Sequence, residues 1–426
     1  MKDTLKRIIA DFHEIPLPAF RRRTLEVPLD LGKIITIIGP RRAGKTYYLY
    51  QLMADLKQRG ASVHQLLYLN FEDERLDLQG NNDLIFDAYR ELYPNQDLAN
   101  VYIFFDEIQE LPDWEKFVRR INDSISKNIF LSGSNARLLS KEIATALRGR
   151  SLTFEILPLS FSEYLAFNDI PSNDQSSSRH RALVDNAFEQ YCQWGGFPET
   201  VTIQERFKAQ VLQEYFNVML YRDLVERYEI KDISVLKYLL KRLIGSFTKE
   251  FSVNKLYNEL KSRSFSIGKD AIYRMMEAIF SIYMVASVER YDPAVIRREM
   301  TNKKVFLYDN GFATALHYSF SEDRGKHLEN LVFRHLREQT EEIFFARNGW
   351  ECDFAIFQAG RPATLVQVTQ HLDRDNLDRE IKGLTSGKQF IGNAEGLLLF
   401  NTADRELKIP GWIQLRTVKN WLLGWE

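Results

Sequence analysis

At 426 residues the chain is too long for one ordinary hydrophobic core, which points to roughly two to four domains, each burying its own apolar residues. Hydrophobic residues make up 45% and charged residues 27%, and 57 Lys+Arg nearly balance 58 Asp+Glu, so the composition is globular without bulk charge bias and any nucleic-acid contact has to come from a local patch. Cys192 and Cys352 lack the clustered spacing of a disulfide framework or a zinc site and read as buried thiols, and no apolar run approaches the ~20 residues that span a bilayer, so the expected setting is cytoplasmic with no membrane partner.

In chain order, "MKDTLKRIIADFH" puts Leu5, Ile8, Ile9 and Phe12 on one helical face without a continuous apolar core or a small-residue cleavage site, which predicts a docking helix and not a signal. The apolar runs "KIITII", "QLLYLNF", "VYIFFDE" and "NIFLSGS" then alternate with helix-like segments up to about Leu157, the rhythm of a parallel sheet with crossover helices. The serine-rich stretch 168–181 reads as a linker, followed by the helical "ALVDNAFEQYCQW" and "KAQVLQEYFNVMLYRDLVERY". From about Ile233 to Val288, two short amphipathic helices joined by "KSRSFSIGK" suit a helix-turn-helix with a wing. From Lys303 strands return in "KVFLYD", "EIFFAR", "CDFAIF", "TLVQVTQ" and "GLLLF", with "HLENLVFRHLREQ" and "NLDREIKGL" as helices.

Gly39-Pro40-Arg41-Arg42-Ala43-Gly44-Lys45-Thr46 fits G-x-x-x-x-G-K-[ST] between an apolar strand and a helix, the context in which backbone amides and a helix N-terminus wrap phosphate oxygens. Lys45 is expected to reach the β/γ-phosphates of ATP and Thr46 to bind Mg²⁺. Tyr47 closes this nucleotide-binding run, although it and Tyr48 also read as packing residues. Asp106 and Glu107 end the buried strand "VYIFFDE": Asp106 is the second expected Mg²⁺ group, and Glu107 the base that orients and deprotonates water, which favours a hydrolase over a kinase. Ser132, Ser134 and Asn135 lie at the end of the next strand, where a polar side chain can sense the γ-phosphate or help position water; Ser134 and Asn135 are the candidates, with plain turn residues as the equal alternative. Asn70 is either a partner for Glu107 or a strand-ending turn. Arg148 and Arg150 are candidates for an arginine finger, with structural salt-bridging as the equal alternative. No N-K-x-D-like motif is present in this domain, which disfavours guanine.

Together, "IIGPRRAGKT", "LYLNFEDERL", "IFFDEIQELPDWE", "LSGSNARLL" and "LRGR…LPLSFSEY" resemble a prokaryotic AAA-like ATPase family whose members pair a P-loop domain with a C-terminal domain of unknown function similar to restriction endonucleases. The stretches "WGGFPE", "YRDLVERY", "YDNGFA" and "HLENLVFRHLRE…ECDFAIF…LVQVTQ" extend the resemblance over nearly the whole chain. It implies an ATP-binding and ATP-hydrolysing core, a winged-helix segment and a nuclease-like fold. The expected architecture is thus α/β, with a P-loop NTPase parallel sheet domain over 1–165, a helical connector over 166–232, a winged-helix-like domain over 233–302 and a restriction-endonuclease-like α/β domain over 303–426.

In the nuclease fold that the last domain resembles, an acid on a first helix, an Asp on a strand and an acid-x-Lys on the next strand bind metal and activate water. Glu329 and Asp353 match the first two places, but the third reads Gln367-Val368-Thr369, so a carboxylate and the lysine are both missing. Lys382 or Lys388 could stand in for that lysine, yet the domain reads as degenerate, and His327, His335 and His371 lack metal-ligand spacing. In the middle segment Ile272, Met275, Met276 and Ile279 are expected to be buried, leaving Lys269, Tyr273 and Arg274 outward, with Arg297, Arg298, Lys303 and Lys304 on the wing. The sequence therefore reads as a Mg²⁺-dependent ATPase whose nucleotide state is coupled to its later domains. Double-stranded DNA, a protein partner and a second copy of the chain stay open as its objects; an ATP-regulated nuclease and a non-hydrolysing nucleotide-binding module are the alternative functions.

Overall fold

A computed structural model describes residues 1–134, 145, 147–172, 177–318, 323–347, 349–359, 362–404 and 407–425, and the chain divides into two compact units, Met1–Leu157 and Pro158–Glu426. In the first unit the strands β1 (Ile34–Ile38), β2 (Leu66–Asn70), β3 (Tyr102–Asp106), β4 (Ile129–Gly133) and β5 (Ser151–Glu155) form one sheet in the order β2-β3-β4-β1-β5, every pairing parallel. Strands covered on both faces read as unbroken apolar runs, and β1 and β4 are buried at every position. Phe104 of β3 stacks on Phe130 of β4 with ring centroids 4.6 Å apart. The helix Lys45–Gln58 buries Tyr48, Leu49, Leu52, Met53 and Leu56 in the same cluster as β1 residues Ile35 and Ile37. The first helix, Lys2–Glu14, buries Leu5, Ile8 and Ile9 and is pinned where His13 contacts the Leu66 carbonyl at 2.8 Å and the Tyr93 hydroxyl at 2.6 Å.

The second unit holds an eight-stranded mixed sheet, β13-β12-β11-β10-β9-β7-β8-β6. Its strands are β6 (Glu250–Phe251), β7 (Val285–Arg290), β8 (Lys303–Leu307), β9 (Ile343–Arg347), β10 (Glu351–Ile356), β11 (Ala363–Leu372), β12 (Ala394–Ala403) and β13 (Ile413–Thr417). The chain enters this sheet through helix Ile233–Gly245, β6, helices Val253–Ser262 and Lys269–Ser281, then β7 and β8. Both β6 and β7 pair antiparallel with β8, so the strand that sequence rhythm groups with the C-terminal domain closes the sheet of the middle segment instead. Between β7 and β8 stands a short helix, Val295–Met300, with Val295, Ile296 and Met300 exposed. Helix Lys269–Ser281 buries Ile272, Met275, Met276 and Ile279 and leaves Lys269, Tyr273 and Arg274 exposed.

After helix Arg324–Gln339, β9, β10 and β11 form an antiparallel meander; helix Arg374–Ile391 then crosses to β12, which runs parallel to β11. The stretches "WGGFPE" and "YDNGFA" meet in the interior, where the Asp309 carboxylate accepts from Gly196 N at 2.7 Å and Gly311 N at 2.8 Å. Asn330 of helix Arg324–Gln339 spans the Leu307 amide and carbonyl and bonds Asn310. Cys192 and Cys352 are separate thiols, and burial raises the thiol of each. Among the described residues no helix is long and apolar enough to cross a membrane, and no group of three His, Cys, Asp or Glu side chains converges on a metal position.

Candidate nucleotide site

The loop between β1 and helix Lys45–Gln58 is shaped by its glycines. Gly39 has φ +149°, and a Cβ there would lie 1.8 Å from the Ile156 carbonyl oxygen, so no side chain fits. Gly44, at φ +97°, turns the chain into the helix, and Arg42 also takes a left-handed φ of +66°. Pro40 and Ala43 are buried, and the Ala43 carbonyl accepts from Arg23 Nη1 at 2.8 Å, while Arg23 Nη2 reaches the Leu157 carbonyl at 2.8 Å. Arg23 thus fixes the loop from outside it; nothing in the phosphate motif signals that role.

Lys45 is 4% exposed, and its ammonium turns back into the loop onto the carbonyls of Gly39 at 3.2 Å and Pro40 at 3.1 Å, with Glu107 Oε1 at 3.5 Å. Thr46 Oγ1 donates to Asp106 Oδ2 at 2.7 Å. The motif after β1 and the acids after β3 are therefore neighbours, although β4 lies between the two strands. Ser132 at the end of β4 fills that gap: its hydroxyl donates to Asp106 Oδ1 and accepts from the Glu107 amide at 3.0 Å. Tyr68 donates to Asp106 Oδ2 at 3.0 Å, a contact that sequence reasoning missed because Tyr68 reads as part of an apolar strand.

Burial, and then the neighbouring Glu107 charge, raise Asp106 above the usual carboxylate range, with the Ser132, Thr46 and Tyr68 hydroxyls opposing. Glu107 is moved the other way: burial works against its charge, and Lys45, Gln109, Arg41 and Ser134 outweigh it and lower it. Its backbone is left-handed, φ +49°, which turns the side chain away from the line of β3. Gln109 Nε2 donates to Glu107 Oε2 at 2.6 Å, so Gln109 is the amide that holds the acid. Asn70 instead accepts from the Glu72 amide at 2.9 Å, the strand-ending turn of its two readings.

Arg41 extends over the loop to Glu72 Oε1 at 2.9 Å and lies near enough to Glu107 to stabilise its charge. Arg42 is exposed, and Tyr47 is 51% exposed with its ring edge-on to Tyr50. Ser134 is buried beside Glu107, and Asn135 lies outside the described residues. Arg148 and Arg150 are not brought to the site. Arg150 O accepts from Ile34 N, so both arginines precede β5 at the end of the sheet where β1 begins, about 20 Å by strand rise from the loop that follows β1. Arg150 is engaged by Asp123 at 3.0 Å, and Arg148 is exposed. An arginine-finger role for either within its own chain is thereby corrected, because the intervening strand is longer than the side chain.

In the second unit Glu329 and Asp353 do approach each other, but Lys304 of β8 lies between them, 2.5 Å from Glu329 Oε1 and 3.6 Å from Asp353 Oδ1. Lys303 pairs with Glu289 at 2.8 Å and Arg297 with Asp292 at 3.0 Å, while Arg298 lies over the Phe344 ring. The basic residues expected to face DNA from the wing are thus largely occupied inside the unit.

The parallel sheet, the glycine-bounded loop and the acids beside it define an AAA-like P-loop domain. A family model described as "AAA domain" matches residues 31–165, and a second, described as a domain of unknown function, matches residues 185–323. An uncharacterized protein of Methanocaldococcus jannaschii is 37% identical over 390 residues, covering 89% of this chain and 85% of its own length. An uncharacterized protein of Haemophilus influenzae is 31% identical over 375 residues, covering 85% of this chain and 90% of its own. The chain belongs to the family of these two proteins, and its own residues 31–165 are the part that matches the AAA domain. A solved structure, the Walker-type ATPase of Pyrococcus abyssi, aligns over 74% of this chain and 95% of its own at 13% identity and a TM-score of 0.40.

Proposed function

We propose that the chain binds ATP with Mg²⁺ between Gly39–Thr46 and the acids Asp106 and Glu107, and hydrolyses it. The observation that carries this reading is the meeting of two pairs, Thr46 with Asp106 and Lys45 with Glu107, at the C-terminal ends of β1 and β3. A hydroxyl and a carboxylate 2.7 Å apart are hard oxygen donors suited to Mg²⁺, and burial leaves Asp106 an acid that a cation would relieve. When bound, the ion neutralises charge on the phosphate oxygens.

The loop amides and Lys45 hold the phosphates. Lys45 cannot serve Glu107 and a triphosphate equally, so nucleotide draws its ammonium from the acid and leaves Glu107 more basic, oriented by Gln109 toward water. Arg41 supplies positive charge beside that acid within the same chain; Arg148 and Arg150 would act only on the site of a second copy.

The order helix, strand, two helices, strand, wing, strand over 233–307 supports a winged-helix reading, with Lys269, Tyr273 and Arg274 the side chains offered to double-stranded DNA. The order helix, three-stranded meander, helix, strand over 324–403 supports the restriction-endonuclease-like reading. Nucleotide state is proposed to alter what residues 158–426 bind. The test is phosphate release from ATP, with and without duplex DNA and with and without chelation of Mg²⁺. Turnover that needs Mg²⁺ and is lost in Glu107→Gln supports the reading; no turnover under any of these conditions leaves a nucleotide-binding module without hydrolysis.

A further inference from the structure

The nuclease resemblance implies a divalent cation between Glu329 and Asp353, and the residues present do not fit one. Both oxygens of Asp353 are already engaged: Oδ1 faces the Lys304 ammonium at 3.6 Å, and Oδ2 accepts from Val368 N at 2.9 Å. Gln367, at the place of a third carboxylate, accepts from Asp353 N at 2.8 Å and so braces the backbone of β10 against β11. Lys304 itself has a side chain only 12% exposed, although it sits on a strand beside a wing. Two rings, Phe306 at 5.7 Å and Phe354 at 6.0 Å, flank the ammonium, an environment that favours a cation and excludes water.

We propose that the Lys304 ammonium is the resident cation of this acidic pair, standing where a metal ion would stand and making the nuclease-like core a joint that ties β8 to helix Arg324–Gln339 and β10. One ammonium against two partly buried carboxylates leaves at most a single net negative charge to attract a divalent ion. The inference is independent of the ATP reading, since every residue lies in the second unit.

The experiment is Mn²⁺ binding to nucleotide-free, full-length protein, followed by electron paramagnetic resonance, for the wild type, Asp353→Asn, Lys304→Met and Lys304→Met/Asp353→Asn, with folding checked by circular dichroism. The wild type and Asp353→Asn are expected to take up Mn²⁺ alike. Folded Lys304→Met is expected to gain a site about tenfold or more tighter, abolished in the double variant. Uptake by the wild type that Asp353→Asn removes overturns the proposal, as does a folded Lys304→Met with no gain. Plasmid nicking by the wild type that disappears in Lys304→Arg overturns it too, because Lys304 would then be a group of an active nuclease. Should Lys304→Met not fold, the comparison of the wild type with Asp353→Asn still decides.

Discussion

Thr46 and Asp106 are 60 residues apart in sequence and share a 2.7 Å hydrogen bond, hydroxyl to carboxylate, across the end of the sheet. Removing the acid leaves the hydroxyl without its anchor and deletes one of the proposed Mg²⁺ groups. Asp106→Asn is expected to weaken the Mg²⁺ dependence of ATP binding by about 10–100-fold, read by titrating Mg²⁺ against a fluorescent ATP analogue. An unchanged Mg²⁺ midpoint would place the ion elsewhere.

Glu107 serves the proposed chemistry and not the hold on the phosphates, so its amide variant should spare binding. Glu107→Gln keeps the shape and the contact with Gln109 but cannot accept a proton, so phosphate release is expected to fall about 10²–10⁴-fold while ATP affinity is retained. Lys45→Ala separates the two roles in the opposite sense: its ammonium lies inside the loop, and affinity itself is expected to fall about a hundredfold or more.

The phosphate loop and the acid-ended strand were legible because each is a local pattern, Gly39 to Thr46 and Tyr102 to Glu107, with its chemistry written in consecutive residues. Hydrophobic rhythm likewise located β1 to β4. What was not legible is relational. Ser132 and Tyr68 reach Asp106 only because β3 lies between β4 and β2, and strand order leaves no mark on any one stretch. The same holds for Arg150, whose sequence neighbourhood suits a finger until the parallel register of β1 and β5 carries it to the far end of the sheet. In the second unit, Lys304 reads as a wing cation by composition; only the pairing of β8 and its proximity to Glu329 and Asp353 turn it inward.

That register makes a further outcome testable. Arg41→Ala should lower the rate of ATP turnover about 10²-fold, the order expected for removing one charged donor from a developing phosphate charge. Arg148→Ala and Arg150→Ala should leave the rate of a dilute, monomeric sample unchanged. A loss in either that grows with protein concentration would assign it to the site of a neighbouring copy.

His335 gives the second unit an acid limb. Burial, and then the Arg334 charge, lower it from 6.5 to about 4; the Trp421 ring packs edge-on at 4.6 Å, Gln339 bonds Nε2 at 3.1 Å and Glu338 lies 3.7 Å away. A depressed folded value means that the unfolded chain takes up the proton first. The stability this ring contributes is therefore complete above pH 6.5 and is lost as pH falls through about 4. His335→Gln should flatten the fall in Tm across that window, by about 2–4 °C for each kcal/mol of linkage removed. Parallel melting curves for the two proteins between those pH values would assign the acid limb elsewhere.

Asp309 is the acid on which two glycine stretches close. A Cβ at Gly195 would stand 1.8 Å from its Oδ1, so the carboxylate occupies the space that glycine leaves, and the amides of Gly196 and Gly311 spend their hydrogens on it. Burial pushes it up to about 6, against those amides and Arg334. Asp309→Ala would leave both amides buried and unpaired, at about 1–3 kcal/mol each if water does not enter. The expected result is a lower urea midpoint for the second unit with an unchanged slope, and unaltered ATP binding by the first. A raised midpoint would mean that desolvating the carboxylate costs more than its two amide bonds return, and that Asp309 is kept at the expense of stability.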